Sequence, residues 1–200
     1  MSECITIKNI RKSFGDYTVF SDLSLSFRKG SITCITGASG CGKTTLLRLI
    51  AVLDQPDSGV IEKGAASLGY VFQEDRLSEN YSAVSNIRLV TGKNMSDADI
   101  RRHLTEIGLQ NFTDKKVCDF SGGMKRRVAI VRAICYNADI LLMDEPFKGL
   151  DPALKTGVMD YVKKYTEHKT VIYVTHDPEE AKYMGGEVVH LPGPFLEGRE

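Results

Sequence analysis

The segment SITCITGASGCGKTTLLRLIAVL, residues 31–53, decides the fold class of the chain. SITCIT (residues 31–36) predicts a buried strand, and LLRLIAVL (residues 46–53) predicts a helix because of the spacing of its apolar residues. Between them, residues 37–44 satisfy GxxxxGK[ST] in the strand-to-helix context that a phosphate-binding loop requires. Backbone N–H groups of such a loop converge on phosphate oxygens, and the helix N-terminus adds its positive end. We therefore predict a nucleoside triphosphate site.

Two side chains of this loop have roles that follow from their chemistry. Lys43 is expected to reach the terminal phosphates, and the hydroxyl of Thr44 is expected to bind Mg²⁺. The other residues predicted to contact phosphate are Gly37, Ala38, Ser39, Gly40, Cys41 and Gly42. If the sulfur of Cys41 is accessible, alkylation should block ATP binding and ATP should protect it. The alternative, a flexible Gly-rich loop that contains Lys-Thr by chance, is disfavoured by the flanking strand and helix.

Composition restricts the class of protein. The 200 residues, of which 42% are hydrophobic, suffice for one domain with a core, and 26 basic residues balance 26 acidic ones. This balance gives no overall field toward nucleic acid or anionic lipid. The five cysteines lack CxxC or zinc-type spacing, which favours a reduced cytosolic compartment. No segment has the length of a signal peptide or of a membrane span, so any service to a membrane is expected to use a partner.

The rest of the chain alternates between strand and helix patterns. CITIKNI and LSLSF alternate with period two and predict antiparallel strands, whereas LGYVFQ, ADILLMDEP, TVIYVTH and EVVHL predict strands between helical segments. This alternation indicates an α/β fold with a mostly parallel sheet. We predict a single domain over residues 1–200. Its core is expected at about 1–79 and 137–200, with a helical subdomain inserted at about 80–136.

Polar residues follow two of the apolar strands. Asp144 and Glu145 end ADILLMDE, and His176 ends TVIYVTH. The carboxyl ends of parallel strands face the crevice where open α/β sheets bind ligands, so these side chains are expected near the phosphate loop. Asp144 suits a Mg²⁺ ligand, and Glu145 suits a base that polarises water. Capping of the next helix is the alternative for the acids, but that helix is predicted to begin only near Pro152.

Five segments together resemble the nucleotide-binding subunits of ABC transporters. They are Gly37 to Thr45, Gln73, SGGMKRR (residues 121–127), LLMDEPFKGLD (residues 141–151) and VTHD (residues 174–177), in the order of that family. Several of these stretches look most like the nitrate, sulfonate and taurine importer type. The resemblance implies a P-loop NTPase core with a mostly parallel sheet, an N-terminal antiparallel β-subdomain and an inserted helical subdomain.

The resemblance also implies roles for individual residues around one ATP. Phe14 would stack on the adenine, with Tyr17 as a substitute and a strand-end core aromatic as the alternative. Gln73 would contact Mg²⁺ and the attacking water, Glu145 would be the general base, and His176 would hold the γ-phosphate. Thr45 would join Lys43 and Thr44 at the phosphates.

The remaining implied roles concern partners. Ser121, Gly122 and Gly123 would contact the γ-phosphate held by a second copy or a related subunit in a head-to-tail dimer, and Asp151 would communicate across that dimer. Transmembrane permease subunits and an extracytoplasmic solute-binding protein would complete the assembly, at the cytoplasmic face of the membrane. The cations Lys125, Arg126 and Arg127 are interpreted as helix surface, and no nucleic-acid partner is expected.

Other functions stay open at this point. They are a soluble ABC-type ATPase acting on nucleic acid or ribosomes, an exporter subunit, a kinase or GTPase that uses the same loop, and a binding module switched by ATP. The chain also departs from the family pattern at Phe120 and Met124. The stretch from Gly59 to Leu68 is shorter than the usual hairpin, which leaves open whether the antiparallel strands form there.

Overall fold

The computed structural model describes residues 3–193. The strands are β1 (Glu3–Phe14), β2 (Tyr17–Arg28), β3 (Ile32–Thr36), β4 (Ser58–Glu62), β5 (Leu68–Val71), β6 (Ile140–Asp144), β7 (Thr170–Val174) and β8 (Glu187–His190). The helices are α1 (Lys43–Ile50), α2 (Ala83–Thr91), α3 (Asp97–Glu106), α4 (Gly122–Cys135), α5 (Pro152–Tyr165) and α6 (Pro178–Met184). Residues 1, 2 and 194–200 of the predicted core lie outside the described residues.

The larger sheet is parallel and has the strand order β5-β6-β7-β3-β8. Every residue of β6 and β7 is buried, which explains why these strands read as continuous apolar runs. Alternate residues supply two cores: Leu141 and Met143 pack on one face, and Ile140 and Leu142 on the other. Because β6, β7 and β3 are neighbours, the segments that follow them meet at one edge of the sheet.

The smaller sheet is antiparallel, with the order β2-β1-β4. The short stretch after Gly59 forms β4, which pairs with β1 from Thr6 opposite Glu62 onward, so antiparallel strands do form there. Gly59 adopts a φ of 90°, and a Cβ at this position would lie 2.4 Å from the carbonyl oxygen of Asn9. Only glycine fits such an approach between two backbones. The chain then turns directly into β5, so the shortened segment contributes a single strand.

Two predicted elements are longer than those in the structure. The helix predicted to reach residue 53 ends at Ile50, because Val52 takes a φ of 58° and the N–H of Leu53 donates to the carbonyl of Arg48 over 2.9 Å. That geometry is a Schellman termination. The strand predicted over residues 68–73 ends at Val71, and Phe72 and Gln73 leave the sheet.

Helices α2, α3 and α4 lie between β5 and β6 in the chain and form what we call the helical block. Their buried residues share one core with a face of the parallel sheet, and β1, β2 and α1 pack on the opposite face. Subdomain limits at about residues 80 and 136 stay a prediction. Within residues 3–193, no helix is both long and apolar enough to cross a membrane.

Candidate functional site

The phosphate loop joins β3 to α1 and depends on its glycines. Gly40 and Gly42 have φ values of 80° and 95°, which strain any other residue. A Cβ on Gly42 would also lie 2.4 Å from Val19 and 2.6 Å from Phe20. The loop is therefore seated directly on β2, and its shape follows from the lack of side chains at these positions.

Lys43 lies across this loop. Its Nζ donates to the carbonyl oxygens of Gly37 and Ala38 over 2.9 and 2.8 Å, and it lies 3.8 Å from the sulfur of Cys41. Cys41 is only 1% exposed. The sulfur of Cys41 is therefore not accessible to an alkylating reagent in the folded chain, which was the condition for the predicted block of ATP binding.

A cavity of about 340 Å³ opens beside the loop. Its lining includes the predicted site residues Phe14, Ser39, Gly40, Gly42, Lys43, Thr44, Thr45, Gln73, Asp144 and Glu145, together with Tyr17. These residues come from four separate parts of the chain. The structure thus brings the loop, the paired acids, Gln73 and the aromatic pair together around one space.

Thr44 and Asp144 form the part of the cavity suited to a metal ion. The hydroxyl of Thr44 hydrogen-bonds to the carboxylate of Asp144, which is 2% exposed. Burial raises the pKa of Asp144, and this effect exceeds the opposing effect of Thr44. Among the described residues, no group of three or more His, Cys, Asp or Glu could hold a metal ion. Two oxygen ligands fit Mg²⁺, which takes few protein ligands and completes its shell with water and phosphate.

Glu145 lies at the rim of the cavity with a lysine and a histidine beside it. Its Oε1 is 3.4 Å from Nδ1 of His176, and its Oε2 is 2.6 Å from Nζ of Lys148. Burial opposes ionisation of Glu145, but Lys148 and His176 outweigh it and hold the pKa below its ordinary value. Glu145 also has a φ of 47°, which is unusual for this residue type, while its N–H donates to the carbonyl of Val174 over 3.0 Å. A carboxylate that stays ionised next to His176 is equipped to accept a proton.

Lys148 was not identified as a site residue from the sequence. It stands in KGLD three residues after Glu145, so the i, i+3 spacing of opposite charges was the available signal. That spacing usually means a surface pair of little consequence.

Two aromatic side chains lie at the mouth of the cavity. Phe14 is 52% exposed, so it is not a core aromatic, and Nζ of Lys12 lies 4.9 Å from its ring centroid. Tyr17 is 40% exposed, and its hydroxyl donates to the carbonyl of Gly40 over 3.1 Å. Phe14 therefore has a free face for a flat ligand, whereas Tyr17 is held against the loop.

Residues 121–123 and Asp151 do not line this cavity. Ser121 is the N-cap of α4, with its Oγ accepting from the N–H of Met124 over 3.3 Å. Asp151 is the N-cap of α5 and accepts from the N–H of Ala153 over 2.8 Å. The start of α4 adjoins the approach to α5, because a Cβ on Gly123 would lie 3.4 Å from the carbonyl oxygen of Gly149. These predicted residues thus form a second group, at the start of two helices.

The expectation that the cations after residues 121–123 form helix surface is wrong for two of them. Arg126 and Arg127 are each 7% exposed and donate to backbone carbonyls. Lys125 pairs with Glu79 over 2.8 Å. The apolar spacing of α4 did not reveal this, because an arginine can be buried when backbone oxygens satisfy its donors.

The fold and the loop define the class of protein: a P-loop ATPase with a mostly parallel sheet, an antiparallel β part and helices inserted before the acid-tipped strand. The ABC transporter family model matches residues 20–148. The chain belongs to this family and is an ATP-binding, ATP-hydrolysing subunit. The predicted fold class, family and ATPase activity are confirmed. The alternatives of a soluble ATPase acting on nucleic acid or ribosomes, of an exporter subunit and of a kinase or GTPase are not favoured.

Two curated relatives illustrate the similarity. An aliphatic sulfonates import ATP-binding protein of Burkholderia cenocepacia is 36% identical over 203 residues, covering 95% of this chain and 74% of that protein. A probable amino-acid import ATP-binding protein of Bacillus subtilis is 35% identical over 211 residues, covering 94% and 85%.

Two solved structures are similar along the same length. A dimeric bacterial ABC transporter cassette shares 29% identity at a TM-score of 0.82, covering 94% of each chain. A dimeric ATP-binding cassette in a post-hydrolysis state, bound to ADP and phosphate, shares 29% identity at a TM-score of 0.81 with the same coverage.

Proposed function

We propose that the chain is the ATPase subunit of a solute importer and works as a head-to-tail dimer beneath separate permease subunits, at the cytoplasmic face of a membrane. An extracytoplasmic solute-binding protein would deliver the solute. The observation that carries the proposal is the arrangement of two groups of residues. One group surrounds the cavity beside the phosphate loop, and the other lies outside that cavity at the start of α4.

The cavity residues have complementary tasks toward one ATP. Lys43 supplies positive charge to the terminal phosphates once its Nζ leaves the loop carbonyls, and the backbone of residues 37–42 surrounds them. Thr44 and Asp144, with Gln73, would hold Mg²⁺, which neutralises charge that develops on the phosphates. Phosphoryl transfer to water needs positioning and charge neutralisation more than covalent chemistry, so this set of groups suits it.

Glu145 and His176 are assigned to the hydrolytic step. The ionised carboxylate of Glu145 accepts a proton from the attacking water, and its φ of 47° turns it out of β6 toward the cavity. His176 contacts the same carboxylate and is the group proposed to hold the γ-phosphate. Together they orient the water and the phosphate toward each other.

Residues 121–123, at the start of α4, are proposed to bind an anion that another subunit holds. A helix N-terminus with exposed N–H groups favours a negative ligand, and Ser121 and Gly122 are exposed. Since these residues do not line the chain's own nucleotide cavity, the anion is proposed to be the γ-phosphate bound by a second copy or a related subunit. The dimeric state of the similar solved cassettes supports this arrangement.

One experiment tests the dimer and the site together. Glu145→Gln should lower kcat for ATP about 10²–10⁴-fold, the usual share of a general base, while ATP binding persists. In that background ATP should drive dimer formation, measured by size-exclusion chromatography with light scattering. Addition of Ser121→Arg should abolish the dimer and leave ATP binding intact.

Ser96→Arg is the matched control, because Ser96 caps α3 with the same bond, from the N–H of Asp99 over 3.1 Å. It should leave the ATP-driven dimer in place. Near wild-type turnover of Glu145→Gln would contradict the assignment of the base. Dimerisation of the Ser121→Arg protein would contradict the head-to-tail model.

Import is supported by the two relatives named for it, and the neighbouring genes test it. A permease and an extracytoplasmic binding protein encoded beside this chain are expected. A membrane domain of the exporter type in their place would reverse the direction.

A further inference from the structure

Arg126, on the helix that begins after Ser121, is buried against the segment that follows β5. Its Nη1 donates to the carbonyl oxygen of Phe72 over 2.6 Å, and its Nη2 donates to the carbonyl oxygen of Gln73. Its Nε lies 3.2 Å from Oδ1 of Asp75. The guanidinium thus spans both residues that leave the sheet and the acid behind them, while the Arg126 side chain is 8% exposed.

Two other cations of α4 hold this stretch and a residue shortly after it. Arg132 donates to the carbonyl oxygens of Asp75 and Arg76 over 3.0 and 2.8 Å. Lys125 pairs with Glu79 over 2.8 Å. We call residues 72–76 the Gln73 segment. It is therefore attached to α4 along its length, and Arg126 holds the part that contains Gln73.

The attachment has a physical reason. Past Val71 the backbone has no strand partner, and the part-buried carbonyls of Phe72 and Gln73 accept from Arg126 instead. A guanidinium offers five donors in a rigid plane, so a single side chain can donate to two adjacent carbonyls while its charge lies beside a carboxylate. Lysine has one ammonium, which cannot span the three oxygens in this geometry. The contacts therefore fix the backbone position of Gln73 relative to α4.

Gln73 is the residue of this segment that lines the cavity beside the phosphate loop. It lines the cavity together with Thr44 and Asp144, while its own carbonyl accepts from Arg126 of α4. We propose that Arg126 is a positioning residue for Gln73, which links the side chain at the nucleotide cavity to the helix that starts at residues 121–123. The proposal rests on the proposed function, because it takes the role of Gln73 from there.

This contact couples the position of Gln73 to the position of α4. The start of α4 is proposed to engage the ATP of another subunit, and the same helix holds the backbone of Gln73 beside the chain's own ATP. A shift of α4 on dimer closure therefore carries Gln73 with it. Arg126 thereby connects the two ATP sites of the dimer. The connection consists of the first five residues of α4, from Gly122 to Arg126, and the chain at the end of β5.

The test is a double-mutant cycle in the full chain. Arg126→Gln should lower kcat for ATP roughly tenfold or more, since a small misplacement of a positioned group is costly, with KM for ATP within about twofold. The kcat of Arg126→Lys should lie between those of the wild-type protein and of Arg126→Gln. In a Gln73→Ala background, Arg126→Gln should cause no further loss, because its effect passes through Gln73.

Normalising kcat to the number of ATP-binding sites removes any loss from misfolded protein. Arg101→Gln is the control: Arg101 makes a bidentate contact with Asp114 in the helical block, over 2.6 and 2.7 Å, and does not touch the Gln73 segment. It should retain wild-type kcat.

Three outcomes would overturn the proposal. They are an unchanged kcat in Arg126→Gln, losses that multiply in the double variant, and a wild-type kcat in Gln73→Ala, since Arg126 would then have nothing to position. Each is distinguishable from failure of the proposed function, which would appear as normal turnover in Glu145→Gln or as absence of an ATP-driven dimer.

Discussion

The two aromatic residues at the mouth of the nucleotide cavity differ in whether the phosphate loop holds them or leaves them available to a ligand. Phe14 and Tyr17 border the same cavity, but the hydroxyl of Tyr17 is bonded to Gly40. The Phe14 ring has no such bond to the loop, and Lys12 lies within cation–π distance of it. A ring that is half exposed at the mouth of a nucleotide cavity is suited to stack on a base.

At this scale we predict that Phe14→Ala raises KM for ATP about tenfold, within the range measured for base–aromatic stacking. Tyr17→Ala should raise it less, since Tyr17 acts on the loop and not on the base. Tyr136→Ala removes an aromatic of similar exposure, 47%, from the C-cap of α4 and serves as the control. Steady-state ATPase kinetics measure all three. A larger effect for Tyr17→Ala than for Phe14→Ala would exchange the two roles.

Between elements, an ion pair joins α5 to the segment that bears His176. Among the described residues it is the most buried ion pair apart from that of Arg126 with Asp75. Nζ of Lys155 lies 2.7 Å from Oε1 of Glu180 and 3.3 Å from Oδ2 of Asp177. Glu180 is 4% exposed and also accepts from the hydroxyl of Thr175 over 2.6 Å. The start of α5 and the end of β7 are therefore held together beside His176, the proposed contact of the γ-phosphate.

Removal of one partner from a buried pair leaves the other charge uncompensated, so we expect Lys155→Met to lower the free energy of unfolding by about 2 kcal/mol. Urea denaturation measures this. Lys164→Met is the matched control on the same helix, because Lys164 pairs with Glu106 over 2.9 Å but is 63% exposed. It should have little effect. Equal losses in the two variants would show that burial of Glu180 is not the cause.

For the molecule as a whole, the contact between the helical block and α5 makes stability depend on pH. His103 of α3 is buried, and its Nδ1 lies 2.8 Å from the hydroxyl of Tyr161 on α5. Burial lowers the pKa of His103 below its ordinary value of 6.5. The unfolded chain therefore binds this proton more readily than the folded one. The contribution of His103 to stability is present above pH 6.5 and is lost as the pH falls from there through the lower pKa of the folded state.

We expect the free energy of unfolding to decrease when the pH is lowered from about 7.5 to about 5.5, and part of that decrease to vanish in His103→Gln. Urea denaturation at both pH values gives the difference. His168→Gln is the control, since the His168 side chain is 91% exposed. An identical pH dependence in wild type and His103→Gln would show that His103 does not cause it.

The parts of the fold that were predictable share one property, which is that their signal is local. The sequence pattern that predicts each element lies within about ten residues, because burial and turn geometry act on neighbouring positions. This holds for the phosphate loop, for β6 with its terminal acids and for the strand before His176. Helix and strand ends were less accurate. Val52 adopts a positive φ despite its β-branch, so the helix end there is not readable from residue type. Phe72 leaves the sheet for a partner on α4, so the end of β5 depends on a contact outside the segment.

The sequence by itself determined the class of fold and the family, and it predicted most of the residues that line the cavity beside the phosphate loop, since these follow from short patterns whose chemistry is local. Only the tertiary structure decided the placement of Arg126 against Phe72, of Lys155 against Glu180 and of residues 121–123 away from the cavity. Arg126 and Phe72 are 54 residues apart and Lys155 and Glu180 are 25 apart, and each contact exists only once the helices have packed. Charge patterns along the chain cannot report it, because a cation looks the same in sequence whether water or a buried carbonyl surrounds it.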